Sequence, residues 1–448
     1  MGARTLKKAG AKKTVAATMA LLMLATACGG GETDAGAEST DSTDSTDSAD
    51  NTDGDADTDD VQAGGEVRMV VNMTDNLTTQ FWSDLVAPFE EQTGITVKIE
   101  GPTGTNVSET FSAQLAAGTA PDVIQSIFAD NEIAPELLDI SDQPWIQGTP
   151  LLDTYSLGGS NYVVGVGSQA QSLVYYNKTA FEEAGITSTP ETWEDFDAAL
   201  GQLADAGYTP LQTAGQWMTG LQLQQLWHPT LNTTNPQWQI SVSEDELTLA
   251  EAFEPMFAKY EQWLAQGYIQ QDDVGLDPST ADANFLEGEV GMYPLGSWLV
   301  ATIDGAGDLP FEVGVFSPPV EQGMDYPGPQ GATMAFPYMV WEGSEQTENA
   351  LRLIEFLVTD EDAIEAQLRA DGVFRAGVDA QASPVGQEIQ TIIDEAPSLV
   401  AVGEGAGDVR LPVTGLNPKF TEIVQSLYTG SSAAEAAADL NTWAEQNR

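Results

Sequence analysis

The sequence predicts an α/β fold in two domains. Three observations carry that reading. Apolar strand-like runs alternate with helix-period stripes from residue 66 onward. The part after residue 64 is 384 residues long, more than one core comfortably fills. That part also lacks cysteine, so packing alone holds it, without disulfides or a thiolate metal site.

The elements follow in order. Glu66–Val71 reads as a buried strand, and Asn72–Thr78 as a polar loop. Phe81, Trp82, Leu85, Val86 and Phe89 recur at three- and four-residue steps, which predicts an amphipathic helix over 79–92 ended by Gly94. A strand over 95–99, a helix over 107–117 stopped at Gly118 and a strand over 121–125 complete an alternation that predicts a parallel sheet with helices on both faces. Val163–Val166 reads as a further strand. A second α/β region starts at Leu173–Lys178, with helices over 179–184, 193–206 and 247–266, a loop-rich stretch over 269–281, a strand over 290–293 and another over 311–316. Helices over 347–358, 418–428 and 433–446 close the chain.

Residues 1–64 read differently. Arg4, Lys7, Lys8, Lys12 and Lys13 precede an apolar run from Val15 to Ala27, 13 residues long, where a bilayer span needs about 20. With small residues directly before the only cysteine, Cys28, this reads as a lipoprotein signal peptide over 1–27 that leaves Cys28 as the lipidated N-terminus, anchored at the outer face of the cell membrane. Residues 28–64 form an acidic tether with 12 acids and no Lys, Arg or aromatic residue, too polar to offset the entropy of ordering.

From Gly65 on there are 10 basic residues and 57 acids, a net charge of −47. Such a surface repels phosphate backbones, which excludes nucleic acid as a partner. His228 is the only histidine, so a histidine zinc site or a Ser–His apparatus has no material; no metal and no cofactor are expected.

Several blocks then resemble one family, the extracellular solute-binding lipoproteins of carbohydrate ABC importers, the maltose-binding-protein-like group. They are Phe89–Val97, Ala116–Val123, Tyr175–Lys178 with Phe181, Gly185, Ile186, Pro190, Thr192, Trp193 and Phe196, then Gly288, Gly291–Met292, Gly296–Trp298, Ala350 and Phe356–Leu357. The resemblance implies a two-lobed periplasmic-binding-protein-like fold, its discontinuous lobes joined by a multi-strand hinge. One lobe would hold 65–174 plus 316–357, the other 175–315 plus 358–448. Crossovers are expected near 174–177, 313–316 and 356–360, with ligand held between the lobes beyond the carboxyl ends of the strands and closure by hinge rotation.

A sugar offers hydroxyls and apolar C–H faces, so its cleft needs paired polar groups and flat rings. Trp298 matches the family's ligand-stacking position. Phe128 and Asp130 follow the third strand; Asp75 and Asn76 follow the first; Gln169 follows the Val163–Val166 strand. Gln216 and Trp217 lie in a loop of the second lobe, and Thr333 follows Gly331-Ala332. Arg375, beside Phe374, reads as a partner for a ligand hydroxyl or, preferably, a local carboxylate. Trp82, Phe89, Trp193, Trp263 and Trp443 read as core, and His228 as a loop contact. The resemblance implies a monomeric, non-enzymatic protein that captures a mono- or oligosaccharide and delivers it to ABC permease subunits. A non-sugar solute such as a polyamine, peptide or metal chelate, a secreted glycoside hydrolase, and an adhesion or sensor module are the alternatives.

Overall fold

The computed structural model describes Gly64–Arg448 apart from Asp75, Gly104, Thr105, Ala382 and Thr414. Cys28, the leader and the tether therefore lie outside the described residues. The strands, in chain order, are β1 (Glu66–Val70), β2 (Thr96–Glu100), β3 (Val123–Gln125), β4 (Gly167–Ala170), β5 (Val174–Asn177), β6 (Thr209–Leu211), β7 (Val290–Pro294), β8 (Val313–Phe316), β9 (Gln330–Ala335), β10 (Tyr338–Val340) and β11 (Leu399–Ala401). They form three sheets, ordered β10-β3-β1-β2, β11-β9-β4 and β6-β7-β5-β8.

In the first sheet β1 runs parallel to β2 and β3, as the alternation predicts, whereas β10 adds antiparallel at the edge. The third sheet is mixed: β5 is antiparallel to β7 and β8, and only β6–β7 is parallel. The all-parallel expectation fails at strands whose connections return from elsewhere in the chain, which no local alternation reveals.

The helix Thr79–Thr93 shows how the sequence builds the first core. Thr78 caps it by accepting from the Phe81 N–H, and Gly94 ends it in the left-handed conformation. Trp82, Leu85, Val86 and Phe89 are its buried face. Arg68 fastens β1 to β2 by a two-pronged contact with Glu100, at 2.8 and 3.0 Å, and donates to the carbonyls of Thr119 and Ala120.

A second core is larger and rich in rings. The helices Trp193–Ala206, Met218–Thr234, Leu249–Gln266, Leu416–Tyr428 and Ala433–Gln446 pack around Trp193, Phe196, Trp227, Trp238, Phe253, Trp263 and Phe420. Trp443 is partly buried against the same core.

The helix Met218–Thr234 was not read from the sequence. It is buried on nearly every side, so no polar face remains to reveal its period, and Pro229 sits inside it. His228 is therefore a buried helix residue and not a loop contact. Burial pushes its imidazole down to about 3, so it is neutral at ordinary pH. Part of the stretch expected as loop is the helix Pro278–Leu286, started by Asp277 and a proline. Residues 163–166 form no strand, because pairing with β9 begins at Gly167; Val164 makes only an isolated bridge to Tyr338.

The chain passes from β4 to β5 through Gln171–Leu173 and from β8 to β9 through residues 317–329. The helix Glu361–Ala370 buries Ala363, Ile364 and Leu368 in the core of the first sheet, beyond the sequence-based boundary at 357. Val385 and Ile389 join a core around β7 and the helix Leu299–Ala306.

Candidate functional site

Trp298 stands where β7 gives way to the helix Leu299–Ala306, and its loop is fixed from several directions. The Tyr175 hydroxyl donates to the Gly296 carbonyl at 3.1 Å, the Ser297 N–H to the Ala170 carbonyl at 2.8 Å, and the Ser297 hydroxyl to the Gly372 carbonyl at 2.6 Å. The half-buried ring folds over Gly296, where a Cβ would overlap it. Gly372, at φ 52°, lies so close to Ser297 that a Cβ there would meet the Ser297 carbonyl oxygen. Asp371 is thereby held beside the Trp298 loop.

Gln169 reaches the same place. It lies within β4, directly across from Thr333 of β9, and both are partly exposed on a sheet otherwise largely buried. Its amide donates to an Asp371 carboxylate oxygen at 2.7 Å and to the Asp371 carbonyl at 3.2 Å. Gln169, beside Thr333, is thus tied to Asp371, which adjoins the Trp298 loop through the Ser297–Gly372 contact.

Burial pushes the Asp371 carboxyl up to about 7, although the Gln169 amide favours its charged form. Burial likewise raises Asp273 to about 6, against the pull of its Thr213 hydrogen bonds. An unfolded aspartate loses its proton near 3.9. Between about pH 4 and 7 these two carboxyls therefore retain protons that the unfolded chain has released, and their contribution to stability falls as pH rises through that window; His228 works the other way, because the unfolded imidazole binds a proton below about pH 6.5 that the buried one refuses, but it is one group against two. The melting temperature is expected to be higher at pH 5 than at pH 8. Asp371→Asn should flatten the upper part of that slope in a calorimetric pH series; an unchanged slope would remove Asp371 as a contributor.

A second group surrounds Asp130. One of its carboxylate oxygens accepts from the N–H groups of Glu132 and Ile133, both at 2.9 Å, and the other faces Arg410 at 3.7 Å. Arg410 also pairs with Glu404 at 2.8 Å, and Glu404 accepts from the N–H groups of Gly415 and Leu416. The Phe128 ring lies 4.8 Å from that of Tyr155, whose hydroxyl accepts from the Met334 N–H.

Trp217 belongs to a third group. Gln216, at φ 55°, donates to Asp277 at 3.0 Å. Trp217 is 53% exposed, and with Leu221, Gln224, Asn417, Pro418 and Thr421 it lines a cavity of about 500 Å³.

Arg375 departs from the sequence expectation of a carboxylate partner. It donates to the carbonyls of Val166 and Val358 at 3.3 and 3.1 Å, and burial lowers its pKa. The backbone segments that meet there supply oxygens before any carboxylate can approach. Asn76 is half-buried between β1 and the helix Thr79–Thr93, and among the described residues no hydrogen bond ties it to these groups; Asp75 lies outside the described residues.

Asp371, Tyr155, Glu404, Arg410 and Asn417 were not read from the sequence as site residues. Rare cations in an acidic chain were the available signal for Arg410. Among the described residues no group of three or more His, Cys, Asp or Glu side chains could hold a metal, and no helix is long and apolar enough to cross a membrane.

Two α/β cores joined by crossing segments, with aromatic and amide side chains gathered near the crossings, make this a two-lobed solute-binding fold. The chain belongs to the bacterial extracellular solute-binding protein family, whose family model matches residues 75–364. Among curated relatives, a probable sugar-binding periplasmic protein of Brucella suis is 26% identical over 251 residues, 52% of this chain and 55% of that one. A multiple sugar-binding protein of Streptococcus mutans is 28% identical over 153 residues, 33% and 36% of the two chains. The chain thus spans about half the length of the first curated relatives it matches.

Solved structures share the fold over far more of the chain. A sugar transporter protein of Bacillus licheniformis in complex with stachyose superposes with a TM-score of 0.68 at 18% identity, covering 84% of this chain and 98% of that one. A binding protein of an ABC transporter from Bifidobacterium animalis subsp. lactis, in complex with mannotriose, gives 0.65 at 19% identity, covering 86% and 95%.

Proposed function

We propose that the protein captures an uncharged sugar between two lobes outside the cytoplasm and delivers it, chemically unaltered, to the permease of an ABC importer. The observation that carries this reading is the group formed by Trp298, Gln169, Thr333 and Asp371 near the carboxyl end of β7, where open sheets place ligands. A ring beside amide, hydroxyl and carboxyl groups suits a pyranose, with its apolar face and its hydroxyl edge. The names of the relatives and the sugars in the related structures support the same class.

The carboxylates nearby favour a neutral ligand over a polyamine. Asp130 is taken up by its own turn and Arg410, Glu404 by Arg410 and a helix start, and Asp371 sits at the edge of neutrality. None is left as a free anion for a cation.

The first lobe comprises about 65–174 plus 316–357, with the helix Glu361–Ala370 assigned to it by its packing; the other comprises 175–315 and the remainder of the C-terminal region. Ligand contact with both lobes favours the closed state. Cys28 carries the lipid that keeps the protein at the outer face of the membrane, and 28–64 is the leash.

A thermal-shift panel tests the reading, since a ligand that binds only the native state must raise its melting temperature. Neutral mono- to tetrasaccharides are expected to raise it, with chromatography showing the sugars intact. A shift with polyamines or peptides alone would assign the protein to another solute, and hydrolysed sugar would make it a glycosidase.

A further inference from the structure

Residues 403–411 form a finger on the connection between β11 and the helix Leu416–Tyr428. Its two sides are drawn together. The Leu411 N–H donates to the Glu404 carbonyl at 2.7 Å, and Arg410 donates to the Glu404 carboxylate at 2.8 Å. Its glycine-rich start, Gly403–Gly407, lacks the lysine of a phosphate-binding loop.

The root of the finger belongs to the second core. Glu404 accepts from the N–H groups of Gly415 and Leu416 at 3.1 and 2.8 Å, where the helix Leu416–Tyr428 begins. Leu411 and Val413 are buried among the rings of that core. The helix that precedes β11, Pro384–Glu395, is itself fastened to β8, because Glu388 accepts from the Val315 N–H at 3.0 Å.

The tip belongs to the other side of the molecule. Ala406 is buried with Ile127, Tyr155 and Met334. Gly407, at φ 53°, lies against the loop around Ser156, so closely that a Cβ would overlap the Ser156 carbonyl oxygen. Asp408 accepts from the Gly158 N–H at 2.8 Å, and Arg410 faces Asp130 at 3.7 Å. Residues 127–158 lie in the first lobe and the root in the second, so the finger bridges the division between them.

The two ends differ in strength. The root is held by buried apolar side chains and by a carboxylate on two backbone donors. The tip is held by one alanine, one hydrogen bond at an exposed aspartate and an ion pair whose partners are both 29% exposed. Such contacts are individually weak, so the tip is the end that lets go.

We propose that residues 405–408 are a releasable clasp: seated on the first lobe they hold the two lobes together before any ligand arrives, and they lift away with the second lobe when the cleft opens. This rests on the division into lobes given above. Gly407 makes the seat fit, Asp408 pins it, and Asp130 is the catch that receives Arg410.

Spin labels at Glu91→Cys and Glu254→Cys report the separation of the lobes. Both positions are exposed, and Cys28→Ser in the full chain removes the only native cysteine. Without sugar, the otherwise unchanged chain is expected to give one narrow set of distances by double electron–electron resonance. Gly407→Ala, and separately Asp408→Ala combined with Arg410→Gln, should raise the long-distance fraction about fivefold. The exposed neighbour Val409→Ser should leave it as it was. Melting curves identify the folded variants, and the combined replacement leaves the backbone turn intact, so it decides the matter if Gly407→Ala does not fold. A broad distribution in the otherwise unchanged chain, or the same narrow one in the folded variants, overturns the clasp. Neither result touches the sugar reading, which the thermal-shift panel decides by itself.

Discussion

Replacing Trp298 by alanine is expected to raise the dissociation constant for the bound sugar about a hundredfold, equivalent to about 2.7 kcal/mol. On the sugar reading proposed above the ring is the stacking face of the site, and the groups near its loop are already aligned: Gln169 on Asp371, Ser297 on Gly372 and Ala170. Removing the ring leaves those polar groups in place but takes away the flat apolar surface on which the sugar's C–H face would lie. Because Trp298 also packs in part against Leu299, Val300 and their neighbours, a modest fall in melting temperature should accompany the loss. Trp298→Phe separates the two effects by restoring a flat face of smaller area. Titration calorimetry reads the outcome, and unchanged affinity in the alanine variant would take Trp298 out of the site.

Trp263→Ala is expected to cost about 3–5 kcal/mol of folding stability, the range for removing a large buried ring. Trp263 is fully buried, with ring centroids 5.6 Å from Phe196 and Tyr260 and 6.2 Å from Trp193. Its indole N–H donates to Asp197 at 2.7 Å, so truncation leaves a cavity and strips that carboxylate of a donor. Urea denaturation should show a midpoint well below that of the unchanged protein with a similar slope. At temperatures where the variant remains folded, sugar affinity should be unchanged, because Trp263 lies in the second core and not at the Trp298 loop.

What the sequence disclosed depended on how local the cause was. The helix over 79–93 was legible because its stripe, its threonine cap and its terminal glycine all sit within 17 residues. The same holds for the helix over 193–206, capped by Thr192 and closed by Gly207. The helix over 218–234 was illegible because it is wrapped on nearly every side, which removes the contrast that periodicity needs. The strands β9, β10 and β11 depend on partners 69 to 217 residues away and carry little pattern of their own.

The site divides along the same line. Trp298 could be singled out through the motif around it. Asp371 could not, because its significance comes from Gln169, 202 positions earlier in the chain. Arg375 looked like a charge in search of a carboxylate, but the fold brings it two carbonyl oxygens instead. Asp130 was legible as a loop acid; that its own turn and Arg410 occupy it was not.

The passage between β4 and β5 is only three residues, Gln171–Leu173. Even drawn straight, so short a strip reaches little more than about 10 Å. On the other side, Phe336 and Pro337 alone separate β9 from β10. The small β11-β9-β4 sheet is thus stitched closely to both of its larger neighbours. On the two-lobed reading proposed above, chain length alone forbids large translations, and the cheap motion left would be a swivel whose axis passes near these stitches. Insertion of several glycines between Ala170 and Val174 would slacken the joint and let the halves wander, at an entropic penalty each time a guest had to be enclosed.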